Sequence, residues 1–153
     1  MGTPHLRPAK PGEEEALSRL CLKSKAYWGY DAAFMAAVAP HLKVTGTAIA
    51  QGLVTVAEAD DGTVLGVSQL DPEGRSGSLE LLFIAPEAIG SGLGRALFDH
   101  AAQQLRALGH TVMTILSDPY SEPAYIHMGA RRVEMRPSRV FKDRELPWME
   151  VDL

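Results

Sequence analysis

Residues Ile84 to Ala101 read IAPEAIGSGLGRALFDHA, with glycines at every second position from Gly90 to Gly94. The run LELLFI that ends at Ile84 is apolar and of strand length, and the residues after Gly94 read as a helix. A helix start presents unpaired backbone N–H groups and the positive end of the peptide dipole. Glycines there remove Cβ atoms and let a bulky anion approach those N–H groups, which makes the segment a candidate phosphate or pyrophosphate cradle. A tight strand-to-helix turn that holds no ligand is the competing reading. Two other anion loops do not fit. A Walker loop needs Lys and then Ser or Thr after its last glycine, where this chain has Arg95 and Ala96. A dinucleotide fingerprint needs a third glycine at position 95 and usually lies near the first strand-to-helix turn, whereas this loop is past mid-chain.

The 153 residues suit a single domain, 1–153, with one full core. An apolar fraction of 46% and a charged fraction of 22% are those of an ordinary globular protein. A net charge of −4 leaves no broad basic surface, so nucleic acid is not an expected partner. The single cysteine, Cys21, excludes a disulfide framework and fits a reducing, cytoplasmic setting. It falls in the apolar phase of a helical pattern and reads as a packing residue rather than a nucleophile. No apolar run approaches the roughly 18 residues of a membrane span, and no signal peptide is visible. His100, His110 and His127 are too scattered to suggest a metal site.

The elements expected are a short strand at His5–Ala9, a helix from Pro11 to Tyr27 and a second helix, DAAFMAAVAPHL, capped by Asp31. Strands Leu53–Ala59 and Thr63–Leu70 flank the turn Asp60-Asp61-Gly62. Then come a strand Ser78–Ile84, a helix Gly92–Leu108 ended by Gly109, a strand Thr111–Ser117 and a short helix Glu122–Met128. Strands Arg131–Met135 and Trp148–Leu153 close the chain. The order β-α-α-β-β-β-α-β-α-β-β describes a mixed sheet with helices packed on it.

Two segments of this order carry a family pattern. Ile84-Ala85-Pro86 followed by Gly92 and Gly94 resembles the V-x-P…[Q/R]-x-x-G-x-[G/A] segment of the GCN5-related N-acetyltransferase (GNAT) superfamily. It departs at Ile89, where the family usually has Gln or Arg. The stretch Asp118 to Ala130, DPYSEPAYIHMGA, resembles the downstream N-x-x-A-x-x-F-Y…G-[F/A] pattern. Tyr125 and Gly129 match, while Asp118, Ser121 and Ala124 replace Asn, Ala and Phe. The element order agrees over nearly the whole chain. The resemblance implies an α+β fold with a central, mostly antiparallel, splayed sheet of about six or seven strands flanked by about four helices. Exposed sheet edges in this fold often pair into homodimers, and the sequence leaves the oligomeric state open.

The resemblance further implies acetyl-CoA as acetyl donor, with no metal. The pantetheine arm would lie in a gap beside the central strand and pair with the backbone of Leu82, Phe83 and Ile84. The pyrophosphate would rest on the N–H groups of the loop Ile89, Gly90, Ser91, Gly92, Leu93, Gly94 and Arg95, with Asp118 and Tyr125 also at the cofactor. A backbone N–H near Phe83 or Ile84 would polarise the thioester carbonyl. Arg95 either adds a charge-assisted phosphate contact or faces solvent. Tyr125 matches the position that protonates the departing thiolate.

The acceptor amine must be neutral to attack. Deprotonating an alkyl ammonium of pKa about 10.4 at pH 7 costs about 4 to 5 kcal/mol, against about 1 to 1.5 kcal/mol for a protein α-amine. Glu80 is the candidate base, as the lone acid of an apolar strand, two residues before Leu82 and on its face by strand periodicity. A solvated outer-face carboxylate is its plainer reading. Some protein-acetylating relatives carry an acid twelve residues before the tyrosine, where this chain has Met113. Tyr27, Trp28 and Tyr30 crowd the junction after the first helix and either wall an acceptor pocket, binding a cation face-on, or cover the core. The basic stretch Arg136 to Pro147 either borders the acceptor site or is a solvated loop. The expected activity is transfer of an acetyl group to a primary amine of a small molecule or peptide by direct attack. A non-catalytic acyl-CoA-binding or sensing domain and a protein N-terminal acetyltransferase are the alternatives.

Overall fold

The computed structural model describes residues 4–153. Seven strands form one sheet in the order β1-β2-β3-β4-β5-β7-β6. They are β1 (His5–Pro8), β2 (Val54–Glu58), β3 (Val64–Asp71), β4 (Gly77–Ile84), β5 (Val112–Leu116), β6 (Arg131–Pro137) and β7 (Glu145–Asp152). The helices are α1 (Glu14–Ala26), α2 (Ala32–Val38), α3 (Gly46–Ala50), α4 (Leu93–Ala107) and α5 (Glu122–His127). Every neighbouring pair is antiparallel except β4 and β5, which run parallel.

This is the mixed, mostly antiparallel sheet that the sequence implied, although the helix expected over DAAFMAAVAPHL ends at Val38 and passes into a 3-10 turn over Ala39–His41, β6 runs on to Pro137, and two further elements differ. A fifth helix, α3, is five residues long, too short to show a helical period; Thr45 caps it by accepting from the Ala48 N–H at 3.1 Å. Strand β7 begins at Glu145 rather than Trp148. Pro147 reads as a breaker, yet it sits within the strand and its carbonyl accepts from the Ser117 N–H at 2.9 Å.

The sheet is covered on both faces. One face packs Leu17 and Cys21 of α1 and Ile49 of α3 against Val54, Val56, Val67 and Leu81. Burial pushes the Cys21 thiol up to about 12, consistent with packing and not with a reactive thiolate. The other face packs Phe98, Ala101 and Leu105 of α4 and Tyr125 of α5 against Leu79, Met113 and Met149.

The feature that positions the site lies between β4 and β5. They pair only at Gly77–Met113 and Ser78–Thr114. Strand β5 then stays with β7 up to Leu116–Trp148, while β4 stays with β3 up to Ile84–Gly66, so a wedge opens between them. A bulge bends β4 where they part. Leu79 pairs with Leu70 and Leu81 with Gln69, which leaves Glu80 as the extra residue. The bulge also breaks the alternation of faces. Leu79 and Leu82 pack toward α4, whereas Leu81 and Phe83 pack toward α1. Simple strand periodicity, the ground for placing Glu80 on the face of Leu82, therefore does not run through the bulge.

The pairing that survives depends on Gly77. A Cβ there would meet Leu105 Cγ at 3.0 Å and its δ-carbons closer still, and Leu105 is fully buried. Gly77→Ala is expected to destabilise the protein by about 1 to 3 kcal/mol through overpacking. Urea denaturation measures this; unchanged stability would mean that the β4–β5 junction is looser than described.

Candidate active site

The wedge between β4 and β5 is lined by two hollows that share a wall. The larger, of about 520 Å³, lies among α1, the α2–α3 connection, β4 and the loop between β6 and β7. The smaller, of about 160 Å³, lies between α1, the end of β4, the start of α4 and α5. Lys25, Leu82, Phe83, Asp118, Ser121 and Tyr125 line both.

The edge of β4 that faces the wedge carries free backbone groups. The Ala85 N–H donates to the Leu65 carbonyl at 2.8 Å. In an antiparallel ladder the groups of alternate residues point the same way, so Phe83 also turns its N–H and C=O to β3. Those of Leu82 and Ile84 point into the wedge, where β5 has already diverged.

The wedge ends at the N-terminus of α4. Gly90 and Gly92 have φ of +85° and +88°, a conformation that a side chain would strain, so the turn itself accounts for these two glycines. Gly94 is different. Its φ is not positive, and an added Cβ would meet only Ile84 Cγ1 at 3.9 Å. Neither backbone conformation nor packing requires a glycine there, although it lines the smaller hollow. The first helical bond is Ala96 N–H to Gly92 O at 3.1 Å, so the preceding amides from Leu93 to Arg95 are not used within the helix. Ile89 is exposed at the hollow's rim. The Arg95 side chain is exposed and its Nε donates to Asp99 at 3.2 Å, one turn along α4.

Tyr125, on α5, is buried between the two hollows with its ring 6.2 Å from that of Phe98. Burial pushes its hydroxyl well above the ordinary tyrosine range, and the Asp118 charge adds to the effect, so Tyr125 stays protonated at neutral pH. Glu80 lines the larger hollow, with Arg139 Nη1 donating to its Oε2 at 3.3 Å.

A network that sequence reasoning missed spans the wedge. Lys25 and Asp118, both nearly buried, form an ion pair. Tyr30 donates to Asp118 Oδ2 at 2.8 Å, the Tyr120 N–H donates to Oδ1 at 2.9 Å, and Arg144 Nη2 donates to the Tyr30 oxygen at 2.9 Å. Burial opposes the Asp118 charge, but the Lys25 ammonium and these hydrogen bonds outweigh it and hold the carboxyl below its ordinary value. Burial, reinforced by Asp118, pushes the Tyr30 hydroxyl up to about 12.

The three aromatics singled out in the sequence do not form one pocket. Tyr30 stacks on Phe34 at 4.0 Å, and the two rings face the chain's own cations, Lys25 and Arg144. Trp28 stacks on Tyr120 at 5.2 Å and borders the smaller hollow, and Tyr27 is exposed beside it. Of the basic stretch, Arg139 and Arg144 line the larger hollow. Their spacing in the sequence carried no sign of which arginines turn inward. Lys25 has no sequence signal, because its partner lies 93 residues away.

The sequence profile described as the acetyltransferase (GNAT) domain matches residues 13–152. The chain belongs to the GNAT acetyltransferase family. Its fold is shared by a GCN5-related N-acetyltransferase from Rhodopseudomonas palustris, with a TM-score of 0.80 at 18% identity over 100% of this chain and 98% of that one. It is also shared by the PaiA N-acetyltransferase from Thermoplasma acidophilum, solved with coenzyme A, with a TM-score of 0.81 at 16% identity over 99% and 100%. YncA from Salmonella typhimurium, solved with acetyl-CoA, gives a TM-score of 0.68 at 20% identity over 99% and 95%. No curated protein matches the chain in sequence. Among the described residues, no group of three His, Cys, Asp or Glu is placed to hold a metal ion, and no helix is long and apolar enough to cross a membrane.

The Lys25–Asp118 pair lies at the open end of the wedge, past the last residue of β5. Lys25→Met leaves a nearly buried carboxylate without its cation and is expected to cost about 3 kcal/mol at pH 7. Asp118 has a lowered folded pKa, so its contribution is complete above its ordinary value of 3.8 and is lost as the pH falls through the lowered one. In the variant, acid neutralises the stranded carboxylate. The gap between wild type and variant should therefore narrow toward low pH; a gap that widens in acid would contradict the pairing.

Proposed function

We propose that the chain acts as one catalytic domain, an acetyl-CoA-dependent N-acetyltransferase that modifies a primary amine of a small molecule or peptide by direct attack. The observation that carries this reading is the wedge edge of β4. Its Leu82 and Ile84 backbone groups face a gap that leads to a helix start bearing Gly94, a glycine the chain does not need for its own fold. Solved relatives of the same fold hold coenzyme A or acetyl-CoA.

Bound in the wedge, acetyl-CoA supplies an activated acetyl thioester. Leu82 and Ile84 offer a strand edge to the amide-containing pantetheine arm. The amides from Leu93 to Arg95, with the positive end of the α4 dipole, receive the pyrophosphate. The Ile84 N–H is the wedge-facing donor for the thioester oxygen, where negative charge develops. Glu80, in the larger hollow, takes a proton from the incoming amine. Tyr125, protonated and next to both hollows, gives its proton to the departing sulfur. A thiolate with pKa about 8.5 leaves readily, so this help is modest.

A non-catalytic acyl-CoA-binding domain is favoured by one observation. Both carboxylates at the wedge, Glu80 and Asp118, are paired with the chain's own cations. Free-thiol release from acetyl-CoA across a panel of amines and peptides separates the two, because a binding module holds the donor without consuming it.

Gly94→Val should weaken CoA binding by about tenfold or more while leaving the melting temperature nearly unchanged, since the position has room for a side chain. Equal losses of stability and binding would place the glycine's role in the fold instead. Tyr125→Phe should lower kcat by about tenfold or less, and Glu80→Gln should shift the pH dependence of kcat/KM to higher pH. A Glu80→Gln enzyme with an unchanged pH profile would remove this residue from the role of base.

A further inference from the structure

The wall of the larger hollow is charged in a particular pattern. Glu80 and Arg139 stand together, Nη1 to Oε2 at 3.3 Å. Arg144 lines the same hollow, a half-buried residue with no carboxylate within ion-pair distance among the described residues. Of its side-chain donors, one bonds the Tyr30 oxygen at 2.9 Å. Its plane lies near the rings of Phe34, at 5.0 Å, and Tyr30, at 5.4 Å, which fix its orientation. The loop that carries both arginines is itself held. The Ser138 N–H donates to the Arg144 carbonyl at 2.7 Å, and the buried Ser138 hydroxyl accepts from the Val140 and Phe141 N–H groups.

A partly buried guanidinium that has no direct ion pair, meets Asp118 only through the Tyr30 hydroxyl and is held by aromatic rings keeps free donors for a bidentate anion. A carboxylate, in the same wall, that is covered only by the exposed Arg139 is ready for a cation. We infer that the acceptor is a zwitterion, an amino acid or a compound with the same pairing of amine and carboxylate. Its carboxylate docks on Arg144 and its ammonium group displaces Arg139 from Glu80. This rests on the acetyltransferase reading above and names the class of amine. The transfer forms an N–C bond and breaks the C–S bond. Of the two protons the ammonium loses, one leaves through Glu80 to solvent and the other ends on the sulfur of CoA.

The test compares the proteinogenic amino acids, β-alanine and 4-aminobutyrate with their carboxamides, first by thiol release from acetyl-CoA and then by calorimetric titration into the CoA-loaded protein. At least one acid is expected to exceed its carboxamide by about tenfold or more in kcat/KM. Arg144→Gln should reduce that ratio to about one while CoA affinity stays unchanged, and Arg144→Lys, which keeps the charge but not the fork, should fall between. Carboxamides acetylated as well as acids would overturn the inference and leave the acetyltransferase reading standing. Acids that bind where carboxamides do not, without any turnover, would support the inference and defeat that reading. A panel in which no acid either binds or reacts would overturn the inference.

Discussion

The structure depends on a pairing that stops early. After Gly77–Met113 and Ser78–Thr114, β4 and β5 have no further hydrogen bonds with each other. Backbone N–H and C=O groups inside a protein need partners, and elsewhere in this sheet the ladder supplies them. In the wedge, Leu82 and Ile84 are left with groups aimed at open space. The divergence has causes on both sides. The bulge at Glu80 bends β4, while β5 is held to β7 along its whole length. Beyond the last β4–β5 pairing, the Lys25–Asp118 pair and the buried ring of Tyr125 line the wedge. On the proposed function, a ligand with its own amide groups would complete the sheet that the chain leaves incomplete.

That arrangement explains why one stretch of sequence says so much. Gly90 and Gly92 are needed by the turn, and any strand-to-helix turn of this shape would need them. Gly94 is not needed by the turn, and on the proposed function it is the glycine that serves the anion. The strand before the glycines and the helix after them were legible as apolar runs, and the resemblance of Ile84 to Gly94 and of Asp118 to Ala130 to the GNAT patterns supplied the topology.

Other features were not legible, for physical reasons. A bulge leaves no trace in the alternation of an apolar strand, so the periodicity that put Glu80 on the face of Leu82 does not carry across it, although both residues line the larger hollow. The network Lys25–Asp118–Tyr30–Arg144 joins residues some 88 to 114 positions apart, and its members read as unrelated charges and rings. Tyr27, Trp28 and Tyr30 looked like one cluster because they are neighbours in sequence. In the folded chain Tyr30 turns inward to Asp118, Trp28 turns to Tyr120, and Tyr27 faces solvent. The cations that Tyr30 and Phe34 face, Lys25 and Arg144, belong to the chain itself.

Residue-resolved amide hydrogen exchange with and without CoA tests the central claim most directly. The account predicts that CoA newly protects Leu82 and Ile84 on β4, together with the amides from Leu93 to Arg95. Phe83, already bonded to β3, should change little. CoA that binds while Leu82 and Ile84 exchange as fast as before would contradict the account, because the donor would then lie somewhere other than the open edge of β4.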